Sequence, residues 1–63
     1  MTEDEARALP VGAEVLQRWN ITRWEVVRWE DGGLHVQRRS KFGMLATHTL
    51  IAPENLAGWE VVD

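Results

Sequence analysis

The sequence predicts an all-β domain built from five short strands. Residues 23–39 carry strand-favouring and alternating apolar and polar side chains on either side of Asp31-Gly32-Gly33. This is the pattern of a β-hairpin, because glycine supplies the positive φ that a tight reversal needs. Three further apolar runs flank the hairpin, bounded by glycine, proline or asparagine. Since a lone hairpin is barely stable in water, these runs are expected to complete a sheet around it.

Length and composition restrict the class of protein. The chain has 63 residues and no cysteine. At this size folding buries only about 60 % of the unfolded chain's surface, so we expect one domain with one small core. A chain without cysteine has no disulfide framework and suits a reducing compartment. No apolar run reaches the ~20 residues of a membrane span or resembles a signal peptide, and we expect a cytoplasmic protein with no membrane contact.

The net charge of −3 is concentrated at the N-terminus. Glu3, Asp4 and Glu5 account for all of it, since residues 6–63 hold seven acidic and seven basic side chains. A neutral globular part argues against a strong electrostatic footprint for nucleic acid, although it leaves room for a local basic patch.

The N-terminal extension, residues 1–9, carries a helix-start signature. Thr2 and Glu5 have the spacing of a capping box, and the proline that follows Leu9 ends the pattern. So short a helix is not stable by itself. Two interpretations stay open: a solvated tail, or a single turn that packs Ala6 and Leu9 onto the end of the β domain.

Two apolar runs predict the first and fourth strands. Residues 11–19 form the first strand, with either Val15 and Ala13 or Leu16 facing the core. Residues 44–51 form the fourth strand. Because both faces of this fourth strand carry apolar side chains, we expect it to be central in the sheet.

Turn signals separate the remaining elements. Residues 40–43 are predicted to be a loop in which Gly43 takes a left-handed conformation. Pro53 is expected to start a short turn of 3₁₀ helix, with Leu56 tucked inwards. Residues 59–62 are expected to form a last short strand.

The four tryptophans are the outlier in the composition. Alternation along the first strand of the hairpin places Trp24 and Val26 on the core face and Val27 and Trp29 on the opposite face. A core this small does not fit four indoles, so we expect at least one to be partly exposed among Trp19, Trp24, Trp29 and Trp59.

The order of these elements resembles an SH3-like barrel. The resemblance rests on the opening of the first strand, the central hairpin, and the turn that leads into the last strand, at residues 11–15, 24–39 and 52–62. The chain looks like the small KOW-like and Tudor-like barrels that occur as stand-alone proteins in bacteria and their phages. This resemblance implies a five-stranded SH3-like barrel over residues 10–63, with a 3₁₀ turn before the last strand.

This sequence departs from the SH3-like families in two respects that limit what the resemblance implies. The acidic-aromatic opening and the tyrosine pair of eukaryotic SH3 domains are absent from the sequence, so a polyproline groove is not implied. A five-stranded OB-fold is the competing architecture, but its helix lies mid-chain, where this sequence has only the predicted loop at residues 40–43.

The sequence offers no constellation for catalysis. Ser40 lacks a nucleophile elbow, and Glu30 and Asp31 are most simply solvated turn residues. His35 and His48 lie on different strands and can approach each other, but two histidines without cysteine or a placed carboxylate make a poor metal site. We expect no enzyme activity, no cofactor and no bound metal.

A tryptophan-rich face is the first candidate site. An exposed tryptophan flanked by arginines has the composition of a protein–protein hot spot. We expect a non-catalytic interaction module that contacts another protein or a second copy of itself through Trp19, Val27, Arg28 and Trp29. The alternative is that the N-terminal turn folds back and covers this face.

A basic cluster is the second candidate site, and it predicts nucleic-acid binding. The resemblance to KOW-like and Tudor-like barrels implies RNA, DNA or basic tails as ligands, and arginine grips phosphate while an aromatic ring stacks on a base. The residues are Arg38, Arg39, Lys41 and Phe42. Against this, Glu25 and Glu30 alternate with the arginines of the hairpin, so cross-strand ion pairs also explain the pattern.

Overall fold

The computed structural model describes residues 1–39 and 46–62. Most of this part of the chain is β-structure, in one five-stranded antiparallel sheet. In chain order the elements are α1 (Glu3–Ala8), β1 (Glu14–Gln17), β2 (Asn20–Glu30), β3 (Gly33–Arg39), β4 (Ala46–Ile51), the 3₁₀ helix η1 (Pro53–Gly58) and β5 (Trp59–Val61). Neither helix in these ranges is long and apolar enough to cross a membrane.

The five predicted strands are present, in the spatial order β4-β3-β2-β1-β5. Within the described ranges β4 and β5 are the outer strands and do not pair with each other, so the sheet is not closed into a barrel. The prediction that the fourth strand is central is wrong, because β4 has only β3 as a neighbour. The predicted loop at residues 40–43 lies outside the described residues.

Each apolar face of β4 packs against a different neighbour, which explains why the sequence suggested a central strand. Ile51 pairs with Leu34 and is buried in the core. Leu50 points to the opposite face and covers Gly33, where a Cβ would come within 2.5 Å of the Leu50 Cδ1 atom. β4 can therefore be an edge strand and still carry apolar side chains on both faces. Ile51 packs in the core, and Leu50 packs over Gly33 of β3 on the other face.

The predicted hairpin is confirmed, with a two-residue turn between β2 and β3. Glu30 pairs with Gly33, and the two residues between them have positive φ, 54° at Asp31 and 75° at Gly32. Positive φ at both central positions is the geometry of a type I′ turn, whose twist matches that of the flanking strands. The Asp-Gly pair therefore fixes the register at this end of the hairpin.

A β-bulge in the middle of β2 changes which side chains face the core. Val26 pairs with Val36 and Trp29 with Leu34, so three steps along β2 match two steps along β3, with the register shift next to Val27. One extra residue reverses the alternation of faces. The prediction that Trp29 faces away from the core is therefore wrong: Trp29 is half-buried and packs against the core.

The core lies on one face of the sheet and under η1. Val15 is fully buried and Ala13 packs against the core, which decides between the two alternatives for β1. Trp24 is half-buried and stands edge-on to Trp59, with ring centroids 6.0 Å apart. The buried apolar residues are Ala6, Val15, Val26, Leu34, Val36, Ile51, Leu56 and Trp59.

The N-terminal extension is a packed helical turn. The Thr2 hydroxyl accepts from the Glu5 N–H at 3.2 Å, and the Glu5 carboxylate accepts from the Thr2 N–H at 3.1 Å, so the predicted capping box is present. Ala6 is buried and Leu9 packs against the core. Of the two interpretations left open by the sequence, the packed turn is confirmed.

The capping box predicts a pH-dependent α1. The backbone and side-chain hydrogen bonds with Thr2 hold the pKa of Glu5 below its ordinary value of 4.5. A depressed folded-state pKa contributes stability that is present above the unfolded pKa and is lost as pH falls through the folded one. An NMR titration is expected to find the Glu5 pKa below 4.5, and Thr2→Ala to raise it. Because alanine keeps the backbone N–H that bonds to Glu5, the rise measures the Thr2 side chain alone, and an unchanged pKa would contradict its contribution.

The bulge predicts that two tryptophans stabilise the fold. Trp24→Ala and Trp29→Ala are each expected to lower the free energy of unfolding by about 2 kcal/mol, below the range for fully buried tryptophan because both side chains are half-buried. Trp19→Ala, at an exposed site, serves as the control and is expected to change it by less than about 0.5 kcal/mol. Urea denaturation measures all three. Equal effects of Trp29→Ala and Trp19→Ala would contradict the inward orientation of Trp29.

Candidate functional site

A cleft of about 400 Å³ opens between β4, η1 and the end of β1. Ile51 and Trp59 are buried residues that form part of its lining, and Leu50 is half exposed beside them. Trp19 lines the cleft from the side of the β1–β2 turn. The cleft therefore places one large exposed aromatic side chain beside two core residues, in a lining that is more polar than apolar.

Trp19 is the most exposed aromatic side chain among the residues that the structure describes, at 83 %. The sequence predicts it at the end of a strand over residues 11–19, but β1 ends at Gln17. Gln17 pairs with Asn20, so Arg18 and Trp19 form the hairpin turn between β1 and β2. A tight turn holds its side chains outside the sheet, which keeps the indole in solvent.

The polar part of the cleft lining carries a negative charge. Glu54 is the one ionisable residue among the described residues that line the cleft, and it is exposed at the start of η1. The other polar lining residues are neutral: Gln17, Thr49 and Asn55. A cation beside an apolar group matches this lining, whereas a phosphate does not.

The structure separates the residues predicted for a protein contact. Trp19 precedes β2 and Trp29 is its second-last residue, about 30 Å away along an extended strand. The Arg7 guanidinium lies over the Trp29 ring, 5.0 Å from its centroid, so α1 covers this indole. Arg28 forms an ion pair with Glu30 on the same strand.

Val27, the fourth predicted contact residue, lies at the bulge and is half-buried. It therefore does not join Trp19 in a common patch. The N-terminal turn does cover Trp29, but on the core face, whereas the sequence alternative placed it on the opposite face.

The predicted basic cluster is described only in part. The Arg38 guanidinium lies over the Trp24 ring, 5.4 Å from its centroid, so a cation–π contact holds it against the fold. The side chain of Arg39, and all of Lys41 and Phe42, lie outside the described residues. Nucleic-acid binding by this cluster stays a prediction.

The cross-strand ion pairs expected for Glu25 and Glu30 are not found in the described part of the chain. Glu30 pairs with Arg28 on its own strand, and the cross-strand pair that is present joins β2 to Glu14 of β1. The Arg23 guanidinium lies 3.4 Å from the Glu14 carboxylate on the neighbouring strand. Both side chains are well exposed, so this pair contributes at most about 1 kcal/mol.

Sequence reasoning missed the cleft, although it anticipated several of its parts. Pro53 predicts η1, and Trp19 stands out by composition. What brings them together is the pairing of β1 with β5, in which Gln17 is opposite Trp59. That pairing joins residues more than forty positions apart, and nothing in the local sequence signals it.

No family model, curated protein or solved structure matches this chain.

The exposure of Trp19 predicts a distinct fluorescence signature. Trp59 is 6 % exposed, and Trp24 and Trp29 are half-buried, so Trp19 is expected to dominate quenching by neutral acrylamide. Trp19→Phe is expected to shift the emission to shorter wavelength and to reduce the quenching constant. Trp29→Phe, the matched control, is expected to change both much less. The reverse order would contradict the placement of the two indoles.

Proposed function

We propose that this chain is a non-catalytic interaction module that binds a short segment of another protein in the cleft beside Trp19. The observation that carries the proposal is the 83 % exposure of Trp19 at a cleft that the core residues Ile51 and Trp59 help to line. Tryptophan is the residue most enriched at binding hot spots, where it fills a desolvated contact. An indole in solvent contributes little to the stability of its own fold, and burial against a partner recovers this hydrophobic free energy.

The cleft is suited to a peptide segment rather than to a large folded surface. Its volume of about 400 Å³ is near the lower end of the roughly 300–1,000 Å³ that ligand sites span. Such a volume accommodates a few side chains. Ile51 and Trp59 belong to the core, so the floor is already formed and binding needs little rearrangement.

Charge complementarity selects a basic segment. Glu54 contributes a carboxylate to the lining, and it is the one charged side chain among the described lining residues. A lysine or arginine next to an apolar residue satisfies both the carboxylate and the indole face, since cations are attracted to tryptophan rings. Nucleic acid carries charge of the same sign as Glu54, which favours a basic protein segment over nucleic acid.

The non-catalytic part of the proposal rests on the groups in the cleft. Acid–base or nucleophilic chemistry needs two positioned groups that act together. Among the described lining residues, Glu54 is the one titratable side chain, and it is exposed.

We further infer that the fold is related to SH3-like barrels and that the protein is cytoplasmic. The strand order β4-β3-β2-β1-β5 and the 3₁₀ helix directly before β5 support the first inference. The absence of cysteine from the sequence supports the second.

Selection from a random twelve-residue peptide library displayed on phage tests this function. We expect enrichment of peptides with lysine or arginine beside an apolar residue. For a selected peptide, Trp19→Ala is expected to weaken binding by at least about 10-fold, and Glu54→Gln to weaken it less. Val11→Ala is the matched control, because Val11 is also exposed but does not line the cleft.

Three results would contradict the proposal. The first is a selected peptide that binds Trp19→Ala as tightly as the native chain. The second is a dimer in light scattering that Trp19→Ala dissociates, which would assign the cleft to self-association. The third is binding of single-stranded or duplex DNA that weakens steeply with salt and depends on Arg38, which would favour the basic cluster.

A further inference from the structure

We propose that His35 and His48 form a binding site for a divalent transition-metal ion of the Zn²⁺, Ni²⁺ and Cu²⁺ class. The site lies on the face of the β3–β4 pair opposite the core. Imidazole nitrogen is a preferred ligand of these ions, whereas Mg²⁺ and Ca²⁺ prefer oxygen.

Strand register brings the two imidazoles together. His35 pairs with Leu50 and Gln37 with His48, so the histidines are diagonal neighbours across adjacent strands. Diagonal neighbours on one face are within reach of long side chains. The His35 Nδ1 and His48 Nε2 atoms are 3.0 Å apart.

This separation fits two ligands of one metal ion. With Zn–N bonds of about 2.0–2.1 Å, two nitrogens at the tetrahedral angle are about 3.3 Å apart, and at a right angle about 2.9 Å. The observed 3.0 Å lies between these values. A metal ion bound to both nitrogens lies to one side of the line that joins them, so the exposed His48 ring has to turn for its lone pair to meet that of the fixed His35 ring.

The second ring nitrogen of His35 fixes the form of the imidazole that a metal needs. Its Nε2 lies 3.2 Å from the Glu30 carbonyl oxygen. A carbonyl only accepts, so Nε2 carries the hydrogen and donates it, and neutral His35 presents a bare lone pair at Nδ1. A ligating histidine whose other N–H donates to a backbone carbonyl is the usual arrangement in metal sites.

In the metal-free chain one proton occupies the contact between the rings. Since Nδ1 of His35 is bare, Nε2 of His48 carries the hydrogen and donates it to His35. Metal binding replaces this hydrogen bond: His48 moves its proton to its own Nδ1 and offers the Nε2 lone pair.

Burial makes one ligand rigid and leaves the other accessible. His35 is 9 % exposed, so packing fixes its ring, whereas His48 is exposed. A metal ion can reach the pair from solvent and keep water in its remaining positions. With two protein ligands we expect weaker binding than at a four-ligand structural zinc site.

Two carboxylates add favourable charge beside the pair. One oxygen each of Glu30 and Asp31 lies close to a ring nitrogen of His35, with all three atoms within 4.8 Å of one another. From the sequence alone, no carboxylate is expected beside the two histidines. In the structure the hairpin turn places carboxylates beside His35. Arg28 forms an ion pair with Glu30, so the Asp31 carboxylate is the one more available to a bound metal ion.

Calorimetric titration of the full chain with ZnCl₂ in a non-chelating buffer at neutral pH tests the site. We expect one ion per chain, with shifts of the His35 and His48 ring ¹⁵N signals and increased hydrogen-exchange protection of β4. Bound metal should also raise the melting temperature reversibly, because it binds the native state. MgCl₂ in place of ZnCl₂ is expected to give none of these changes.

Four variants distinguish metal binding by the imidazole pair from metal binding by carboxylates. His48→Gln is the main test, because its exposed side chain can be replaced without disturbing the core, and it is expected to lose at least 10-fold in zinc affinity (about 1.4 kcal/mol). Asp31→Asn is expected to lose about 2- to 3-fold, and Glu60→Gln, a carboxylate exposed on β5, to lose nothing. Trp19→Ala is expected to bind zinc normally, so this test is independent of the peptide-binding proposal.

Two results would overturn the inference. One is the absence of zinc binding at millimolar concentration by the folded native chain. The other is unchanged affinity in His48→Gln together with a large loss in Asp31→Asn, which would place the ion on His35 and the turn carboxylates instead of on two imidazoles.

Discussion

The bulge next to Val27 is the feature on which the rest of the structure depends. A regular β2 would place either Trp24 and Val26 or Val27 and Trp29 on the core face, but not members of both pairs. One extra residue allows Trp24, Val26 and Trp29 to face the core together. A 63-residue chain has little apolar side-chain volume to use, and the bulge adds a third large side chain from one strand to its small core.

This arrangement decides which surfaces are left for partners. Trp29 packs within the protein, where α1 and the Arg7 guanidinium cover it. The Arg38 guanidinium lies over the Trp24 ring. Two residues that resemble binding anchors in the sequence are therefore occupied by contacts within the chain. Trp19 has no such role because the β1–β2 turn holds it in solvent. It lines the cleft between β4, η1 and the end of β1.

Local signals in the sequence were sufficient to predict the strands and helices, but not to predict how these elements pair and pack. The positive φ of Asp31-Gly32 and the Thr2–Glu5 capping box depend on neighbouring residues, and both are readable from sequence. The bulge is not, because Val27 is an ordinary strand residue and the shift appears only against β3. The edge position of β4 and the cleft likewise depend on pairings between distant strands. The approach of His35 to His48 was predictable, whereas the Glu30 carbonyl that fixes its geometry was not.

The cross-strand pattern of nuclear Overhauser effects in the β2–β3 hairpin tests the role of the bulge most directly. The Asp31-Gly32 turn sets the register at one end, so Trp29 is opposite Leu34 with or without a bulge. We predict backbone contacts that place Val26 opposite Val36. Contacts that place Val27 opposite Val36 would show a regular strand. They would turn Trp24 away from the core and contradict the finding that Trp19 is the most exposed indole in the described part of the chain.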